Sequence, residues 1–217
     1  MIFEPHHLYH IYNQGNNRQE IFFARENYLY FLQKINKHIL PYADVLAWCL
    51  MPNHFHLLVY INTHQMTPSH QMSMSHHKNT ATPSHQMSNE QEQQNHQMVN
   101  ELTKSIAILL RSYTRAINIQ ESRTGSLFKP HTQAQCLTKA ESLTPAYFNS
   151  SFGTYLNIST PEKEYPQLCF NYIHNNPVKA NLVKQAEDWE FSSCKEYAGL
   201  RNGKLINRER AEEFGLN

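Results

Sequence analysis

The chain has 217 residues, 40% of them hydrophobic and 12% aromatic, enough to bury one sizeable core. Charged residues make up only 17% and the net charge is +1, so gross charge does not mark a nucleic-acid binder, and any basic surface must come from local clustering. Four scattered cysteines with no C-x-x-C pair argue against a disulfide scaffold or a zinc knuckle; with no secretory signal and no membrane-length apolar run, the expectation is a soluble, cytoplasmic protein without a membrane partner.

LYHIYNQ (8–14) is rich in bulky strand formers and is followed by the turn residues GNNR, which predicts an N-terminal strand and a loop. RENYLYFLQKINKHIL (25–40) places Tyr28, Phe31, Leu32, Ile35 and Ile39 at helical spacing, and Pro41 stops it. ADVLAWCLMP (43–52) reads as a buried strand and NHFHLLVYI (53–61) as its partner, joined by a tight turn at Pro52 and Asn53.

Residues 63–98 have a different composition: TPSHQMS occurs twice, HQM four times, and Phe, Trp, Tyr, Ile, Leu and Val are absent. Such a segment cannot bury enough apolar area to offset its ordering entropy, so a disordered, repeat-expanded loop is expected. Its six histidines suit weak, opportunistic metal binding rather than a built site.

VNELTKSIAILLRSYTRAIN (99–118) carries Leu102, Ile106, Leu109, Leu110, Tyr113 and Ile117 on one helical stripe. Between Lys104 and His131 the cations Lys104, Arg111, Arg115, Arg123 and Lys129 face Glu121 alone. A solvated helix face and a phosphate track would both use them.

GSLFKP (125–130) reads as a short strand that AQCL (134–137) extends or pairs with, and 138–166 as a second, partly packed insertion. QLCFNYIHNN (167–176) is a helix expected to end before Pro177, since the residue preceding proline avoids the helical region. The order strand, helix, strand, strand, helix, strand predicts a single α+β domain over 1–217, with a ferredoxin-like antiparallel sheet and helices packed on one face.

On a strand, residues two apart share a face, so His54 and His56 project together while Phe55 points the other way. Two such imidazoles can serve one metal ion, or can be two core histidines with ordinary hydrogen-bond partners. Tyr172 and Asn176, four apart on the last helix, also share a face. Asn176 could offer its amide oxygen to a divalent ion, with Tyr172 one turn away to attack a substrate. The plainer alternatives are an asparagine satisfying a helix end and a tyrosine with a buried ring and a wet hydroxyl.

MPNHFHLLVYI, RSYTRAIN, GSLFKPH, YIHNNPVKANLV and DWEFSS, in that order and with HIYNQGNNRQEIF near the start, resemble the single-tyrosine HUH transposases, most closely the REP-associated branch. The resemblance covers most of the chain outside the two insertions. It implies that His54 and His56 hold a divalent cation, magnesium or manganese, that Asn176 of the Y-x-x-x-N pattern is its third ligand, and that Tyr172 is the nucleophile. The implied substrate is single-stranded DNA at a hairpin, cut and rejoined through a 5′-phosphotyrosine link by a monomer or homodimer. Arg111, Arg115 and Lys129 are then candidate DNA contacts, while His174 points elsewhere on its helix and stays outside the catalytic set. A hairpin-binding protein that no longer cuts and a hydrolase that uses water are the alternatives. Tyr113 and Tyr155 are the next candidate nucleophiles.

Overall fold

The computed structural model describes residues 3–62, 87–139 and 161–217. Both expected insertions therefore fall largely outside the described residues, at 63–86 and 140–160.

The elements run β1 (Leu8–Gln14), α1 (Arg25–His38), β2 (Ala43–Met51), β3 (His54–Ile61), α2 (Met87–Gln120), β4 (Gln133–Cys136), α3 (Pro161–Lys179), α4 (Cys194–Tyr197) and α5 (Arg208–Glu213). The four strands form one sheet in the order β2-β3-β1-β4, each neighbouring pair antiparallel. This is the expected α+β, ferredoxin-like arrangement.

Tyr9, Ile11, Trp48, Leu50, Phe55, Leu57 and Val59 pack against Tyr28, Phe31 and Ile35 of α1 and against Leu102, Ile106, Leu109, Tyr113 and Ile117 of α2. The expectation of helices on one face holds for these two, but α3 adds a layer on the opposite face. There Cys169, Phe170 and Ile173 meet Leu8, Ala47, Cys49, Met51 and Leu58. The strands require this second layer because β2 and β3 are apolar on both faces, and an uncovered face would leave Met51 and Leu58 in water. A bulge between Val45 and Ala47 turns the consecutive Leu46 and Ala47 both toward this second core.

Local chemistry sets the element ends. At the start of α1 the buried Asn27 accepts hydrogen bonds from the backbone N–H groups of Phe23 (3.0 Å) and Ala24 (2.9 Å), and its Nδ2 donates to Gln120 Oε1 at the end of α2 (2.8 Å). α2 begins at Met87, so the last dozen residues of the segment expected to be loop are helical. Gln, Glu and Met are good helix formers, and a run of them extends a helix anchored by the amphipathic stretch behind it.

α3 likewise runs through Pro177 to Lys179 instead of stopping before it. Its termination comes at Asn181, which adopts a left-handed φ of 56°. The Asn181 N–H donates to the Val178 carbonyl and the Leu182 N–H to the Pro177 carbonyl, both at 2.9 Å, a Schellman closure. Asn176 is thereby held within the helix rather than at its end.

The expected strand at 125–130 reduces to a single bridge between Phe128 and Gly15, and only 133–136 pairs with β1 as a ladder. The outer edge of β2 is covered by residues 189–193: the Ser193 N–H donates to Trp48 O (2.9 Å) and the Trp189 indole to Leu50 O (3.0 Å). Among the described residues no helix is long and apolar enough to cross a membrane.

Candidate functional site

β3 lies between β1 and β2, and its register sets Tyr12 and Cys49 on either side of His56, with Gln14 and Met51 on either side of His54. Both imidazoles project from the face that α3 covers. Their ring centroids are 5.0 Å apart and the rings are nearly perpendicular, at 82°. α3 brings the Tyr172 ring to 5.4 Å from that of His56, and Asn176 Oδ1 to 3.3 Å from His54 Nε2. The four residues singled out from the sequence thus share one locus.

The protonation of His54 follows from its neighbour. His54 Nδ1 lies 2.6 Å from Asn53 Oδ1, an oxygen that can only accept, while the Asn53 amide nitrogen is turned to Arg18 O at 3.3 Å. The proton of neutral His54 therefore sits on Nδ1, leaving Nε2 as a lone pair. Across 3.3 Å that lone pair faces a second acceptor, Asn176 Oδ1, while buried Asn176 Nδ2 and His56 Nε2 have no hydrogen-bond partner among the described residues.

This donor set fits a divalent cation. With metal–ligand bonds of about 2.1 Å, adjacent ligand atoms at right angles sit about 3 Å apart, close to the His54–Asn176 spacing. The three donors, His54, His56 and Asn176, are neutral and would leave such an ion its full charge for an anionic substrate. Among the described residues no group of three or more His, Cys, Asp and Glu side chains forms a metal site, so an ion here would depend on the Asn176 carboxamide.

Burial keeps the rings in the neutral form a ligand must have. It drives the pKa of His56 well below the ordinary value, assisted by repulsion from His10 and His54. It lowers that of His54 too, against the opposing pull of Asn176.

Tyr172 is half-buried, with Lys179 Nζ 5.1 Å from its ring centroid. Tyr113, by contrast, is fully buried in the other core and donates its hydroxyl to Ile21 O at 2.7 Å, too far inside to meet a substrate. Tyr155 lies outside the described residues. His174 is buried beside Phe170 and Tyr197 with Nε2 2.8 Å from Ser193 Oγ, in the contact between α3 and the segment that covers the edge of β2.

Arg111, Arg115 and Lys129 come together as well. They line a groove of about 920 Å³ between α2 and residues 126–132, which Arg123 and His131 also border. None of the three takes part in the ion pairs found among the described residues. The groove is on the α1/α2 side, joined to the histidine site through β1. Asn13 donates to Lys129 O (3.2 Å) and Thr132 Oγ1 (2.9 Å), while the adjacent Tyr12 turns to the other face, its ring 5.8 Å from that of His56.

His10 could not be singled out from the sequence. Its Nε2 is 2.9 Å from His56 Nδ1 and it is buried, with a pKa pushed down to about 4 by desolvation. Its place two residues before Tyr12 marks the shared face, but only the β1–β3 pairing shows which histidine it meets.

Comparison with protein-family models and with curated proteins gives no match. Among solved structures the chain is similar to a REP-associated tyrosine transposase bound to a REP hairpin. The identity is 14%, with 96% of this chain and 94% of that one covered and a TM-score of 0.45.

Proposed function

We propose that this protein is a metal-dependent single-stranded DNA transposase or endonuclease that cleaves and rejoins DNA at hairpin-flanked sites. Tyr172 is its nucleophile, and His54, His56 and Asn176 hold a divalent cation, magnesium or manganese. The observation that carries this reading is the gathering of two neutral imidazoles and a carboxamide, with His56 Nε2 and Asn176 Nδ2 lacking partners among the described residues, beside a half-exposed phenol.

The Tyr172 phenol gives up its proton as its oxygen attacks a backbone phosphorus, the 3′ oxygen leaves and takes up a proton, and a 5′-phosphotyrosine link remains. A 3′ hydroxyl from the same or another strand reverses the step. A phenol is mostly protonated at neutral pH and is a poor nucleophile unaided. Lys179 supplies a positive charge at the ring face. A divalent cation at the three ligands would neutralise charge on a non-bridging phosphate oxygen. Rigid seating on α3, between Cys169, Phe170 and Ile173 in the core, holds the phenol at a fixed approach.

The test is incubation of the full chain with end-labelled hairpin DNA and manganese, followed by a denaturing gel. A covalent protein–DNA adduct that requires the cation is expected. Binding without cleavage would replace this reading with that of a hairpin-binding protein, and cleavage without an adduct with that of a hydrolase.

The groove cations make a separate prediction. Replacing Arg111, Arg115 and Lys129 together with Ser should weaken single-strand binding across sequences and reduce the slope of log affinity against log salt by about 2, at about 0.7 for each phosphate no longer neutralised. Fluorescence anisotropy over a salt series measures this, and an unchanged slope would remove the groove from the DNA path.

A further inference from the structure

His10 is a buried histidine at a position that a sheet of this kind would fill with an aliphatic residue. Two positions earlier on the same face of β1 stands Leu8, fully buried in the second core. Burying an imidazole there costs desolvation, and that cost calls for a compensating role.

Among the described residues its one close polar contact is to His56, 2.9 Å from Nε2 to Nδ1, with the ring centroids 5.0 Å apart and 25° between planes. Two neutral imidazoles joined this way have two proton arrangements. If His10 donates, His56 must carry its proton on Nε2, a buried N–H without an acceptor among the described residues. If His56 donates, its Nε2 is a lone pair. The two arrangements have opposite consequences for a cation: the first presents a proton to it, the second a ligand.

We infer that His10 is a positioning residue that fixes the tautomer of His56, accepting the His56 Nδ1–H on its own Nε2 so that His56 Nε2 stays unprotonated. His10 then carries its own proton on Nδ1. Asn53 does the same for His54, as the acceptor-only geometry at 2.6 Å requires. Each imidazole of the pair is thus set in the ligand form by a second residue before any ion arrives, one from the turn that opens β3 and one from the neighbouring strand. Histidine in water favours the Nε2–H tautomer, so an unsupported ring at position 56 would present the wrong nitrogen most of the time. Partners of this kind typically change metal affinity about 10- to 100-fold when lost.

The inference rests on the cation-binding reading for its purpose, but its test does not. In metal-free, 15N-labelled full chain near neutral pH, two-bond proton–nitrogen correlation spectra read which ring nitrogen of His56 is protonated. Wild type should show Nδ1–H at His56, and His10→Phe should convert most of it to Nε2–H and weaken manganese binding about 10- to 100-fold. Nε2–H at His56 in the wild type overturns the inference, with no variant needed, as does an unchanged tautomer in a folded His10→Phe protein. If His56 is Nδ1–H but manganese does not bind the wild type, the tautomer assignment stands and the proposed function falls.

Discussion

Tyr172→Phe is expected to eliminate the covalent adduct and to reduce strand cleavage by about four orders of magnitude or more, while hairpin affinity and manganese affinity change by less than about twofold. The substitution removes one oxygen and keeps the ring that packs edge-on against His56 and His10, at 5.4 and 6.2 Å between centroids. The donors proposed to hold the cation are therefore undisturbed. Since the ring is only half-buried, folding stability should move by no more than about 0.5 kcal/mol.

Tyr113→Phe is the matched control. It severs a buried hydrogen bond to Ile21 O and should cost on the order of 1 kcal/mol in stability without touching the adduct. An adduct that survives Tyr172→Phe would move the nucleophile to another tyrosine, either Tyr155, which lies outside the described residues, or Tyr12. The Tyr12 phenol also packs against His56, and burial followed by repulsion from Tyr172 and Cys169 raises its pKa, which makes it a poorer candidate than Tyr172.

The residues that the sequence singled out were the ones whose periodicity survives folding. Two histidines at strand spacing share a face wherever the strand goes, and a tyrosine and an asparagine four apart share a helical face wherever the helix docks. Their meeting depended on which face of the sheet α3 covers, and that was legible only in part. The unbroken apolar runs ADVLAWCLM and HLLVYI are what strands buried on both sides look like, a signal that the expectation of helices on one face left unused.

The helix ends were less legible for local reasons. The rule that helices stop before proline failed at Pro177, where the missing N–H costs the helix a single bond to Ile173 O near its end, and the helix stops instead at the Asn181 closure on the Pro177 and Val178 carbonyls. His10 depended on strand pairing, a long-range fact: its partner is 46 residues away, and nothing in LYHIYNQ distinguishes a buried histidine with a task from an exposed one.

Acid should destabilise the metal-free protein steeply between about pH 6.5 and pH 4, through histidines that burial holds neutral. His10 and His174 are each buried, and desolvation brings each pKa from 6.5 down to about 4. Because the folded values lie below the unfolded one, the unfolded chain binds more protons throughout this window. Stability is therefore present above the unfolded value and is lost as pH falls toward the folded one. Each ring contributes on the order of 2–3 kcal/mol of loss between pH 7 and pH 4.5, a large share of a typical domain's stability. His174→Gln separates this effect from carboxylate titration, because the amide can still donate to Ser193 Oγ but takes up no proton. Urea unfolding at the two pH values should show wild type losing about 2–3 kcal/mol more than His174→Gln, and equal losses in the two proteins would mean that the buried ring at position 174 is not what acid attacks.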